Sequence, residues 1–146
     1  MHRLLPVSYT HLWDDVDLLT DWTINFEQDT QPFPKQSREQ ILKNTMTRIG
    51  LGTIFKWIDN NEIVSIAAIV RKTKNAGIVG LVYTPGKFRG RGYATSCVQK
   101  ISELILSNGY SYCGLFTDKS NPTSNYIYKK IGYLPTIEFS DIEYEK

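Results

Sequence analysis

The stretch Val82-Tyr83-Thr84-Pro85-Gly86-Lys87-Phe88-Arg89-Gly90-Arg91-Gly92-Tyr93-Ala94 decides how this chain folds. The apolar run Ile78–Tyr83 leads into it and reads as a strand. Beyond it, Ala94, Cys97, Val98, Ile101, Leu104 and Ile105 recur at helical spacing. Thr95, Ser96, Gln99, Lys100, Ser102 and Glu103 fill the opposite face, and Asn108-Gly109 ends the helix. Tyr112–Phe116 is then the next strand. A strand–helix–strand step of this kind requires a parallel pair.

Upstream, the pattern predicts a different kind of pairing. Thr53–Ile58, Ile63–Val70 and Ile78–Tyr83 are separated by the turns Asp59-Asn60-Asn61 and Lys74-Asn75-Ala76-Gly77. Three strands on short turns read as an antiparallel meander. Before them lie two helices. Asp14–Phe26 carries Val16, Leu19, Trp22, Thr23 and Phe26 on one face, with Asp14 or Asp15 as its cap. Pro32 and Pro34 break it. Ser37 with Gln40 opens the second, whose apolar positions are Ile41, Leu42, Met46 and Ile49, and Gly50 stops it. At the far end, Asn121-Pro122 starts a short helix running to about Ile131, Gly132 ends it, and a last strand is expected over 136–144. The order ααβββαβαβ predicts an α/β (α+β-type) domain, a mixed central sheet flanked by helices, over residues 13–146.

Composition narrows the function classes. The chain has 146 residues, a size that closes one core but not two, and no apolar run approaches the roughly 20 residues of a membrane-spanning helix. Cys97 and Cys113 cannot form a disulfide framework or a four-ligand metal site, which predicts a cytoplasmic chain with reduced thiols. The only histidines, His2 and His11, support no catalytic triad and no metal. The net charge is +2, unevenly spread. Asp14 to Asp29 holds six acids and no base, whereas Lys87, Arg89 and Arg91 fall within five residues. A nucleic-acid binder spreads a larger excess over a face, so no nucleic acid or membrane partner is expected. A tight basic knot beside glycines suits a small phosphorylated ligand, with a solvated loop as the plain alternative.

The main chain of the loop carries the chemistry. Successive amides there, with the first amides of the helix, form a concave set of donors, and the helix dipole favours an anion. Gly90 and Gly92 let an oxygen approach without Cβ interference. Arg89 and Arg91 add charge-assisted bonds. Two better-known phosphate motifs fail. Gly86-Lys87-Phe88 lacks the hydroxyl of a P-loop, and Thr95 stands where a dinucleotide fingerprint has its third glycine.

Taken together with a second motif downstream, the loop resembles the GNAT superfamily of acetyl-CoA-dependent N-acetyltransferases. Arg89-Gly90-Arg91-Gly92-Tyr93-Ala94 is similar to that superfamily's pyrophosphate loop. Asn121-Pro122-Thr123-Ser124-Asn125-Tyr126-Ile127-Tyr128-Lys129-Lys130-Ile131-Gly132-Tyr133 is similar to its downstream Asn-x-x-Ala/Ser-x-x-x-Tyr-x-x-x-Gly-Phe/Tyr pattern. The resemblance implies acetyl-CoA as co-substrate, entering where two parallel strands splay. It implies that backbone groups of Leu81, Val82 and Tyr83 pair with the pantetheine arm. The amides of Arg89, Gly90, Arg91, Gly92, Tyr93 and Ala94 would hold the pyrophosphate, and Asn121 and Ser124 would line the pantetheine side. Tyr128 would sit near the thioester sulfur as general acid. An amine attacking a thioester expels a thiolate, and a tyrosine hydroxyl (pKa about 10) is a protonated donor at neutral pH, worth ~10²–10⁴-fold.

Plainer readings stand beside these. Tyr128 is one of nine tyrosines and suits an amphipathic core position; Asn121 suits a helix cap; both cysteines read as packing residues. No general base is visible: Glu27, Asp29, Glu62 and Asp118 are candidates, but each reads first as a solvated or capping carboxylate, and water can take the proton. The acceptor is expected to be a small-molecule or peptide amine, and a homodimer is compatible with the sequence. A non-catalytic acyl-CoA-binding or regulatory module is the rival function. The start of the chain reads differently from the rest. Val7–Leu12, VSYTHL, matches one frame of a transposon-end adapter used in sequencing libraries. Residues 1–12 are therefore expected to be a non-native leader replacing a first strand, with loss of an upstream domain as an extension of that reading and an unusual genuine terminus as the alternative.

Overall fold

A computed structural model describes residues 3–6, 12–30, 36–117 and 122–135. The chain forms two compact units, Met1–Phe116 and Thr117–Lys146, each considered by itself.

The first unit is built on a five-stranded sheet: β1 (Arg3–Pro6), β2 (Ile54–Asp59), β3 (Glu62–Lys72), β4 (Ala76–Tyr83) and β5 (Tyr112–Leu115), in that spatial order. The first three pairings are antiparallel, and β4 with β5 is parallel. The mixed α/β architecture predicted from the element order is the one observed. One strand is added to it. Arg3–Pro6 pairs with Phe55–Ile58, inside the stretch read from sequence as a leader. With β1 at the edge of the sheet, Pro6 is tolerated there. The β2–β3 turn carries positive φ at Asn60 (50°) and Asn61 (61°), the mirror-image two-residue hairpin that asparagine tolerates.

Helices cover the sheet. α1 (Leu12–Thr30) runs longer than the periodic stretch that announces it. Val16, Leu19 and Trp22 pack with Ile49 of α2 (Arg38–Leu51), Ile54 of β2, Ile66 and Ala68 of β3, and Leu81 of β4. Ser37 caps α2 through the Gln40 amide, as the capping-box spacing predicts. The stop is Gly52 rather than Gly50. Gly52 adopts φ +67°, and its amide reaches the carbonyls of Arg48 and Ile49, so the helix continues through Gly50. Asp15 does not serve as a cap either: it pairs with Lys56 of β2 at 2.5 Å, both largely buried. The two charges depend on each other, since an unmatched charge in this layer costs about 3–5 kcal/mol.

α3 (Tyr93–Ser107) buries Cys97, Val98, Ile101 and Ile105, the stripe read from the sequence. Burial pushes the Cys97 thiol up to about 12, making it an inert packing residue. In the second unit, α4 (Pro122–Ile131) ends at Gly132, φ +120°, whose amide reaches the carbonyls of Tyr128 and Lys129. The last strand expected over 136–144 lies outside the described residues. Among the described residues, no helix is long and apolar enough to cross a membrane.

Candidate functional site

The site is a property of β4. Its first half, Ala76 to Val79, pairs in register with Tyr112 to Leu115. The pairing stops there, and Gly80–Tyr83 continues with no β5 partner. The two strands therefore part towards their carboxyl ends. The β3 side of this stretch is irregular too: Ala68 faces Gly80 and Ile66 faces Tyr83, so one residue of β3 opposes two of β4. Leu81, in this bulge, takes φ +50°, rare for a leucine. The bulge changes the facing of the strand. Gly77 lies against Ile105 of α3, and strict alternation would aim Leu81 at α3 as well. Leu81 packs instead with Val16, Leu19 and Trp22 of α1. Leu81 and Val82 are thus out of the ladder, on a strand edge to which an extended ligand backbone can add hydrogen bonds.

The loop after β4 is anchored at several points. Residues Gly86–Phe88 form one 3-10 turn, and the buried Phe88 ring packs edge-on against Tyr93. Arg89 donates from Nε to the Thr84 carbonyl at 2.9 Å and from its terminal nitrogen to Asp29 at 3.2 Å, and lies over the Tyr83 ring. Tyr83 in turn packs against Trp22 at 5.8 Å. Tyr93 donates its hydroxyl to Asp59 at the end of β2. That hydrogen bond is the main cause of a hydroxyl pKa above the ordinary value, and Arg91, which bonds the same group, works against the rise. The loop therefore joins α1, β2, β4 and α3.

The amide row is shorter than the motif implies. The Arg89 amide is taken by the Gly86 carbonyl at 3.3 Å, so the row for a ligand begins after it, at Gly90. Gly90 and Gly92 both take φ +79°, with open space where a Cβ would stand. Gly92 caps α3 with no side-chain bond, and the first intrahelical bond to it comes from Ser96. A helix start of this form presents its first amides outward. The donor set suits a diphosphate, and the free edge of β4 leads to it, so the residues present fit acetyl-CoA.

The side-chain charge is smaller than the sequence suggests. Lys87 pairs with Glu62 at 3.4 Å and Arg89 with Asp29. Both pairs are more than half exposed, so they are worth roughly 0.2–1 kcal/mol each and open easily to an arriving anion. The same contacts commit two of the four carboxylates considered as bases. Glu27 is buried on α1, within electrostatic reach of Arg48, and Asp118 lies outside the described residues. The partnerships of Asp29 and Glu62 span 60 and 25 residues of sequence, and no local spacing announces them.

In the second unit, Ser124 and Tyr128 lie one turn apart on α4, both half-buried. The Tyr128 ring meets Tyr133 edge-on at 6.4 Å. Burial pushes the Tyr128 hydroxyl above its ordinary value, so it stays protonated throughout the neutral range. Asn121 lies outside the described residues.

Solved structures share this architecture. A predicted acetyltransferase from Clostridium acetobutylicum with acetyl-CoA is 17% identical, with a TM-score of 0.72 over 98% of this chain and 95% of that one. AAC(6')-Iy in complex with the bisubstrate analog CoA-S-monomethyl-acetylneamine is 15% identical, with a TM-score of 0.70 over 100% and 98%. A GCN5-related N-acetyltransferase from Ralstonia eutropha is 14% identical, with a TM-score of 0.67 over 98% and 97%. At these identities the likeness is one of fold. No curated protein matches the chain. The model of the FR47-like protein family matches residues 50–138, which takes in β2 to α4 and the whole glycine-rich loop. With the GNAT fold around that match, the chain belongs to the FR47-like family, within the reach of the GNAT resemblance that its two motifs carry.

Proposed function

We propose that this protein transfers the acetyl group of acetyl-CoA to the primary amine of a small molecule. The observation that carries the reading is a strand whose edge is released halfway along and which ends in a glycine-rich row of amides at a helix start. Those two features suit the two ends of one ligand, an amide-bearing arm and a diphosphate. The AAC(6')-Iy complex, which holds a bisubstrate analog, supports an amine acceptor of small-molecule type.

In the proposed reaction the amine nitrogen attacks the thioester carbonyl and the carbon–sulfur bond breaks. The sulfur leaves as a thiolate and takes a proton from the Tyr128 hydroxyl; the amine's excess proton goes to water. Motif spacing supports Tyr128 in this role, and its raised pKa supports it as a lasting donor. The deprotonated amine is the nucleophile, so the rate rises with pH as the amine loses its proton. Because the Tyr128 hydroxyl titrates above its ordinary range, the falling limb should appear only beyond pH 10 or so.

The test mixes purified protein, acetyl-CoA and a panel of amines, and follows free thiol. Tyr128→Phe should keep CoA affinity and lower turnover at least about tenfold, with loss of the alkaline limb. An unchanged rate removes Tyr128 from the mechanism. CoA binding with no thiol release from any amine favours instead an acyl-CoA-binding module, a reading consistent with the commitment of Asp29 and Glu62 to ion pairs. Absence of CoA binding removes both.

A further inference from the structure

A cavity lies beside the loop. It has a volume of about 350 Å³ and is lined by Leu18 and Trp22 of α1, Asn61, Glu62 and Ile63 of the β2–β3 corner, and Pro85, Lys87 and Phe88. It shares no residue with the released edge of β4 or with the amides from Gly90 to Ala94. Its volume falls at the small end of the roughly 300–1,000 Å³ typical of ligand sites. Most of its walls are apolar, two of them aromatic. Its ionised groups are the Glu62 carboxylate and the Lys87 ammonium, which lie 3.4 Å apart. The ammonium also stands 4.6 Å above the Phe88 ring.

From this lining we infer a binding site for a free amino acid with an aromatic side chain. The charge pattern selects the head group. A carboxylate alone would take Lys87 and leave Glu62 beside a second negative charge. An amine alone would take Glu62 and strand Lys87. An α-amino acid carries both charges on one carbon, so each wall charge keeps a partner when the long, exposed Glu62–Lys87 pair opens. The apolar walls of Trp22, Leu18, Ile63 and Pro85 then take an aromatic body, which neither glycine nor a short polar side chain supplies. Pro85, Lys87 and Phe88 belong to the segment that leads into the amide row, so occupancy braces that segment. CoA and the amino acid should therefore tighten each other's binding by the same factor.

Calorimetric titration of the whole chain with L-phenylalanine, without CoA, tests the site apart from the acetyl-transfer reading. Phenylalanine should bind about tenfold or more tightly than phenethylamine, 3-phenylpropionate or glycine, each of which lacks one of the three matched parts. Lys87→Met and Glu62→Gln alter exposed side chains and should each erase that preference, with the fold verified by circular dichroism. No heat with phenylalanine overturns the inference, as does any one of the three fragments binding as tightly as phenylalanine, or indifference to both substitutions. CoA binding measured separately on the same sample reports on the acetyl-transfer reading alone.

Discussion

The two halves of β4 have the same strand around them and opposite duties. From Ala76 to Val79 the strand is paired on both sides, and Gly77 is so tightly backed that a Cβ would sit 2.8 Å from the Ile105 side chain. From Gly80 to Tyr83 it has lost its β5 partner, bulges against β3 and carries a leucine at positive φ. The first half is held by packing that admits no extra atom. Tight backing extends to Gly80, where a Cβ would sit 2.9 Å from the Val70 side chain; beyond it the strand has no β5 partner, and the loop behind it has two glycines at φ +79°. A substitution at the tightly backed Gly77 or Gly80 should thus read out as stability, and one at the open glycines of the loop as affinity.

The largest separation is expected from Gly77→Val. Overpacking against Ile105 should cost about 3 kcal/mol in chemical denaturation while leaving CoA affinity of the folded fraction unchanged. A loss of affinity without a loss of stability would break the comparison. Gly92→Val should do the reverse. A β-branched residue at φ +79° forces the loop away from its geometry, weakening CoA binding roughly tenfold to a hundredfold, the equivalent of ~1–3 kcal/mol of local strain. Because the space around Gly92 is open, the global unfolding midpoint should move less than for Gly77→Val. Smallest of all, Asp29→Asn frees the Arg89 guanidinium from an exposed pair, and should change stability by less than about 1 kcal/mol. It should also raise CoA affinity slightly at low salt, an effect that fades as salt is added. A fall in affinity would mean that Asp29 holds Arg89 for the ligand rather than away from it.

How much of the fold is legible in the sequence depends on how local each signal is. α3 is legible because its stripe repeats every three or four residues, and the parallel β4–β5 pair comes with the helix between them. Ser37 with Gln40 announces its cap for the same reason. The end of α2 is harder to place because Gly50 and Gly52 are both glycines near an apolar run, and only the carbonyls of Arg48 and Ile49 decide between them. The strand at Arg3–Pro6 is four residues long and depends on pairing with β2, about fifty residues away in sequence. Within the site, the glycines and the amide row are readable from the motif. The loss of the Arg89 amide is not, because the 3-10 turn that consumes it is a matter of backbone path rather than residue type. Nor are the partners of Lys87 and Arg89, which come from the β2–β3 corner and from the end of α1.

The strand order carries a consequence for how the molecule comes into being. β2, β3 and β4 are joined by turns of a few residues, so each pairing closes a short loop. Ala76 meets Tyr112 only after the whole of α3 has been laid down between them. On a ribosome the hairpins have their partners at once, whereas the wedge has only one wall until the last strand of the first unit emerges. A nascent chain halted before Tyr112 would own every glycine of the loop and still have no cleft to offer.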